Sequence, residues 1–123
     1  MKILLIMLGG SIGAICRWGL GLAAARVFGT AFPYGTFLAN LSGCFLIGFL
    51  FEAASRSHLI TPNMQLFLIT GFIGALTTFS TFALETVHSA NMGAIAISLL
   101  NVLLNNLAGL ALVVAGMVLA KMI

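Results

Sequence analysis

The chain has 123 residues, 62% of them hydrophobic and only 6% charged, a balance that the water-facing surface of so small a soluble domain could not carry. Lipid must stand where water would, which excludes an ordinary soluble enzyme or binding domain. The net charge of +3 comes from five basic and two acidic residues scattered along the chain, so neither a nucleic-acid patch nor a polybasic membrane cluster is expected.

A membrane-spanning helix needs roughly 20 apolar residues, so the length leaves room for four spans with very short connections and no soluble domain. The first span is read from about Ile3 to Phe28. Its opening, Met1-Lys2 followed by Ile3 to Leu8, could pass for a signal peptide cleaved near Ala23 to Ala25. That reading is rejected, because Arg17 interrupts the stretch and three further spans follow. Pro33 sits where proline limits a helix or shapes a turn, and Tyr34 suits the aromatic belt at a membrane surface.

The second span runs from about Tyr34 to Ala54 and ends at Ser55-Arg56-Ser57-His58, the longest expected loop. Pro62 fits the first turn of a third helix with Thr61 as its cap, and this span continues to about Val87. His88-Ser89-Ala90-Asn91 is read as a short turn, followed by a fourth span from about Met92 to Ala120 with Lys121 at the far interface. The expected fold is therefore an all-α, single-domain, four-helix membrane protein with both termini on one side. Lys2, Arg56 and Lys121 share that side, while Arg26 and Arg17 lie toward the other, too small a difference to fix an orientation. No internal repeat is visible, so an antiparallel arrangement would need two copies.

Several residues are out of place in lipid. In the middle of the third span, Gly71-Phe72-Ile73-Gly74-Ala75-Leu76-Thr77-Thr78-Phe79-Ser80-Thr81-Phe82 combines glycines with hydroxyl-bearing β-branched residues, a composition that loosens a helix and exposes carbonyls. Such carbonyls must find protein, water or an ion; the ordinary alternative is close helix packing with the threonines bonded to their own helix. Phe79 and Phe82 share a face that Glu85 continues. Aromatic ring edges are positive, so this stripe could favour an anion where no full charge is present, although phenylalanine stripes ordinarily face lipid or core.

Asn40 lies in Gly35-Thr36-Phe37-Leu38-Ala39-Asn40-Leu41-Ser42-Gly43, at a depth where an amide needs a partner or a wet path. Asn101, Asn105 and Asn106 repeat the theme in the fourth span, and at least one should face protein or water. Arg17 stands about 21 Å along its helix from Ile3, near the far headgroups or in a vestibule, where it would attract an anion or simply snorkel. Cys16 and Cys44 lack metal or disulfide spacing and read as unpaired thiols, with Cys16 preceded by the bulky Ile15 and so unlike a lipidated cysteine.

Taken together, Gly9-Gly10-Ser11-Ile12-Gly13-Ala14 with Arg17-Trp18, then Gly35-Thr36 through Asn40 to Gly43, then Gly71 to Phe82, resemble the Fluc, or CrcB, family of fluoride channels. The match covers nearly the whole chain in order, and its third motif is highly specific. The resemblance implies an antiparallel, dual-topology homodimer in the cell membrane of a microbe, with two fluoride pores along the subunit interface and a structural Na⁺ at the two-fold axis. Carried onto this chain, the Na⁺ carbonyls belong to Gly74 and Thr77, the pore residues are Asn40, Phe79, Ser80, Thr81, Phe82 and Glu85, and Arg17 marks the vestibule. Ala75 departs from the family's usual glycine, and Asn105 matches a position that varies.

The function these observations lead to is passive efflux of fluoride from the cytoplasm, with fluoride, sodium, lipid and a second copy as partners and no nucleic acid. A small dual-topology multidrug-type transporter is the alternative, but it would carry a coupling carboxylate in the first span, which has none. A structural subunit leaves the ordered polar positions unexplained. Enzymatic activity is not expected, since there is no Asp, and His58 and His88 fall in expected loops without a placed nucleophile.

Overall fold

A computed structural model describes residues 1–56 and 60–122. Its elements are α1 (Lys2–Phe28), α2 (Tyr34–Arg56), a third span built from α3 (Pro62–Gln65), a π-wound segment (Leu66–Ile73), α4 (Gly74–Leu76) and α5 (Phe79–Asn91), and finally α6 (Ile95–Lys121). Among the described residues four helical runs are long and apolar enough to cross a membrane, Pro62–Asn91 counting as one. Large apolar side chains such as Ile15, Leu22, Leu103, Leu107 and Val114 point outward from α1 and α6, as they must where hydrocarbon is the solvent.

Glycine decides how the helices meet. A Cβ added at Gly9 or Gly13 of α1 would collide with the carbonyls of Phe67 or Phe72, and one at Gly71 would stand 2.8 Å from the carbonyl of Ile6. These glycines therefore bring α1 onto the first half of the third span at backbone distance. Likewise a Cβ at Gly48 would strike the Val113 carbonyl and one at Gly116 the Phe45 carbonyl, so α2 and α6 pack as a second close pair. Lipid tails supply no hydrophobic drive between helices, and such close approach supplies van der Waals contact instead.

The first connection turns at Gly29, whose φ of 77° is cheap only for glycine. It is then closed by aromatic contacts, with Phe32 against Tyr34 at 5.0 Å and against Phe37 at 5.6 Å between ring centroids. At the start of the third span the Thr61 hydroxyl accepts from the Met64 amide at 3.3 Å, with Pro62 in the first turn.

Two boundaries differ from the sequence reading. Arg56, expected in a loop, belongs to α2, where its Nε donates to Glu52 Oε1 at 2.6 Å one turn back and holds the last turn; Ser57 and His58 lie outside the described residues. The stretch His88 to Asn91 is the end of α5 and not a turn. The reversal falls at Met92-Gly93-Ala94, where Gly93 takes φ 80°. Positive φ, available to glycine at no steric cost, outweighs the turn preference of the serine and asparagine before it.

The third span is broken, as its composition suggests, but at the threonines. The glycines stay helical, whereas Thr77 (ψ 156°) and Thr78 (φ −154°, ψ 118°) are extended, and α5 restarts with the Thr78 hydroxyl accepting from the Thr81 amide at 3.2 Å. Thr78 is thus the N-cap of the second half-helix.

Candidate functional site

A broken helix leaves backbone groups without intrahelical partners, and side chains from two other elements arrive to meet them. Asn40 of α2 accepts from the Thr78 amide through Oδ1 at 2.8 Å, and its Nδ2 donates to the Thr78 carbonyl at 3.2 Å. In an unbroken helix that Thr78 amide would bond to the Gly74 carbonyl, so the Asn40 contact releases Gly74 O, on a residue exposed at the outer side of the break. On the α1 side, Arg17 Nη1 donates to the Thr77 carbonyl at 3.3 Å. The guanidinium expected near headgroups or in a vestibule therefore sits level with the break, halfway along the third span.

From Asn40 the polar contacts continue inward. Its Nδ2 also donates to Asn105 Oδ1 at 3.1 Å, Asn105 Nδ2 donates to Asn101 Oδ1 at 2.8 Å, and Asn101 Nδ2 donates to Thr86 Oγ1 at 2.9 Å. Asn101, 1% exposed, is the largest fully buried side chain among the described residues. Burial of an amide is tolerable only because its bonds are made.

A hollow of about 360 Å³ opens beside this array, lined by Asn40, Thr77, Thr78, Phe79, Phe82 and Asn105, with Gly43, Cys44, Ile47, Ile73 and Asn106 completing the wall. Phe79 and Phe82 meet at 5.5 Å with ring planes tilted by 53°. Phe82 is buried, whereas Phe79 is 79% exposed, so the hollow opens to the outside of the chain along α5. Among the described residues no cationic side chain lines it; its wall carries amides, threonines and two phenylalanine rings.

Glu85 does not join its neighbours on the stripe. Its Oε1 accepts from the Thr36 hydroxyl at 2.8 Å, Oε2 is buried without a partner among the described residues, and the carboxyl lines a second hollow of about 350 Å³ with Tyr34, Thr36 and His88. Ser80 and Thr81 are exposed beside the first hollow and outside its wall, and both hydroxyls lie within bonding distance of Thr78 Oγ1, at 3.3 and 3.1 Å. Among the described residues no cluster of His, Cys, Asp or Glu could hold a metal ion, and Cys16 and Cys44 are free thiols.

The sequence pointed to Asn40, Thr78, Phe79, Phe82 and Asn105 as polar or aromatic oddities, and the fold gathers them. It named Thr36 only within the Gly35-Thr36 motif, without its bond to Glu85, and did not point to Thr86, because a threonine inside a helix ordinarily bonds its own backbone and nothing in its spacing reveals a second partner.

Among the described residues, four runs able to span a membrane, one of them broken and clasped by amide side chains beside an outward-opening hollow, define a polytopic membrane protein. The chain belongs to the CrcB family: the model described as "CrcB-like protein, Camphor Resistance (CrcB)" matches residues 4–117. It is 46% identical over 120 residues to a Clostridium perfringens protein named "Fluoride-specific ion channel FluC", covering 98% of this chain and 94% of that one. Proteins of the same name from Salinibacter ruber (45% identity; 94% of this chain, 86% of the relative) and Citrifermentans bemidjiense (42%; 98% and 97%) are similarly close. The protein is accordingly a multi-pass membrane protein of a bacterial family.

Proposed function

We propose that this protein is a fluoride channel that lets the ion leave the cytoplasm passively, down its gradient. The observation that carries the reading is the hollow at the helix break, where the amides of Asn40 and Asn105 and the hydroxyl-bearing Thr77 and Thr78 share a wall with two phenylalanine rings, and the Arg17 guanidinium stands behind that wall on the Thr77 carbonyl. The near full-length likeness to proteins named fluoride-specific channels supports it.

Fluoride is small and strongly hydrated, so a selective path must replace its water with close donors while keeping every site weak enough to leave. Partial charges meet both demands, since they compensate dehydration in part and trap nothing. Asn40, Ser80, Thr81 and the edges of Phe79 and Phe82 are the groups assigned to this task. Both Nδ2 protons of Asn40 are engaged, with Thr78 O and Asn105 Oδ1, so an arriving anion would exchange for one of these acceptors and not for bulk water alone. Glu85 follows at the second hollow, bonded to Thr36, where it would govern exit.

The outward opening at Phe79 calls for a wall that one chain lacks. A second copy, packed antiparallel about a two-fold axis, would supply it and duplicate the path, giving two pores. At that axis the released Gly74 carbonyl and the Thr77 carbonyl, from each copy, suit a structural Na⁺: hard, uncharged oxygens at a helix break. Thr77 O keeps a lone pair beyond the bond from Arg17. When bound, the ion would neutralise the convergence of carbonyls and join the copies. A Cβ at Gly74 would find only the Ile69 carbonyl at 3.7 Å among the described residues, which leaves room for a second copy to approach the backbone there.

The test is efflux from liposomes holding the purified protein, followed with a fluoride electrode and then a chloride electrode. Rapid fluoride loss without chloride loss is expected, and retention of both ions by folded protein would overturn the reading.

A further inference from the structure

An extended residue at a helix break has no intrahelical partner for its carbonyl, and at Thr77 that oxygen meets a full positive charge, Arg17 Nη1 donating to it at 3.3 Å. Arg17 is half-buried, so water screens the charge only in part. The chain has two acidic side chains, and both are engaged elsewhere. Glu52 is paired with Arg56 at 2.6 Å, while Glu85 accepts from the Thr36 hydroxyl at 2.8 Å and lines the second hollow. Arg56–Glu52 is the one ion pair among the described residues, so none of their carboxylates neutralises Arg17.

We propose that Arg17 sets the valence of the cation accepted at the break: its charge on Thr77 O lets a monovalent ion bind and turns a divalent one away. This rests on the sodium reading above. The oxygens assigned to that site, on Gly74 and Thr77, are uncharged carbonyls, so a cation there would share the Thr77 oxygen with a guanidinium and find no carboxylate to offset it. Coulomb repulsion grows in proportion to the charge of the ion. A divalent ion therefore meets twice the penalty of a monovalent one, and it also lacks the carboxylates that an ion such as Ca²⁺ ordinarily takes. What acts is the charge of Arg17 and not its hydrogen bond, which would hold the Thr77 carbonyl in the same way for either ion.

The experiment reads cation binding and not ion flux. Thermal unfolding of the full chain in detergent is followed in fluoride-free buffer against NaCl and against CaCl₂ at matched ionic strength, and each dissociation constant is taken from the stabilisation. The parent protein should be stabilised by Na⁺, and by Ca²⁺ only at far higher concentration. Arg17→Gln, which removes the charge, should tighten Na⁺ binding about tenfold and Ca²⁺ binding by the square of that factor, about a hundredfold. Arg17→Lys keeps the charge and should keep the parent's order of preference. If Arg17→Gln does not fold, Arg17→Met, which retains the apolar stem, takes its place. Unchanged constants would overturn the proposal, as would a shift by one common factor for both ions, the mark of a merely structural hydrogen bond. A parent protein that neither ion stabilises would remove the sodium reading itself, whereas stabilisation by Na⁺ without the squared relation would remove only the role of Arg17.

Discussion

Asn40 and Thr78 grip each other at two points, with the Thr78 amide donating to Asn40 Oδ1 at 2.8 Å and Asn40 Nδ2 donating to the Thr78 carbonyl at 3.2 Å. One side chain thus does for the extended residue what a neighbouring strand would do, satisfying both backbone groups of a non-helical position inside the membrane. Asn40→Leu removes both bonds and should cost about 1–3 kcal/mol, seen as a lower unfolding temperature in detergent together with slowed fluoride efflux. Asn40→Asp keeps an acceptor for the Thr78 amide and brings a negative charge to the hollow, so it should fold better than the leucine variant and still conduct poorly. Full flux through ionised Asn40→Asp would remove Asn40 from the path.

The two rings at the hollow should be separable from the fold. Within one chain Phe79 is largely exposed and Phe82 buried, so Phe79→Ile should leave the fold of the single chain within about 0.5 kcal/mol, while Phe82→Ile destabilises it modestly. Both should abolish or strongly slow fluoride efflux, because an aliphatic group has no positive edge to turn toward an anion. Unchanged efflux in both variants would show that the rings only pack.

Close helix approach makes an equally direct prediction about stability. Gly13→Ala drives a Cβ into the Phe72 carbonyl and Gly48→Ala drives one into the Val113 carbonyl, whereas a Cβ at Gly19 meets nothing within 4 Å. The first two should lose about 1–3 kcal/mol by overpacking; Gly19→Ala should be neutral. Thermal unfolding of the three variants side by side checks this, and equal midpoints would mean that the helices slide apart freely.

Glu85 gives a charge-dependent prediction. Its Oε1 is held by Thr36 and its Oε2 has no partner among the described residues, so an ionised Glu85 presents an unneutralised oxygen to the second hollow. Glu85→Gln keeps an acceptor for Thr36 and removes the charge. Fluoride efflux through the variant should exceed that of the parent at every pH where Glu85 is ionised, and the variant's pH profile should be the flatter. Identical profiles would take Glu85 out of the route.

Much of this fold can be read from composition, because hydropathy and the lengths of four apolar runs leave few alternatives in a bilayer. The break in the third span was equally visible as glycine followed by Thr77-Thr78, although which residues leave the helix depends on Asn40 reaching Thr78 from another span. Helix ends were harder to read: Arg56 stays helical through its pair with Glu52, and Asn91 through a reversal that waits for Gly93. Least legible were the bond of Thr36 to Glu85, the role of Thr86 and the amide order of Asn101 and Asn105, since a hydrogen-bond sense is a property of three-dimensional neighbours. Arg17 shows the same limit, as distance along α1 left a headgroup position and a vestibule both open while the bond of its side chain to the Thr77 carbonyl could not be read from spacing.

The central claim is passive, selective passage of fluoride, and the most direct test is the reversal potential of current across a planar bilayer holding the protein, with a fluoride gradient over symmetric chloride. Reversal is expected at the fluoride equilibrium potential, unmoved when a pH gradient is added. Reversal near zero, or a potential that follows the pH gradient, would contradict it, the first by denying selectivity for fluoride and the second by revealing proton-coupled transport.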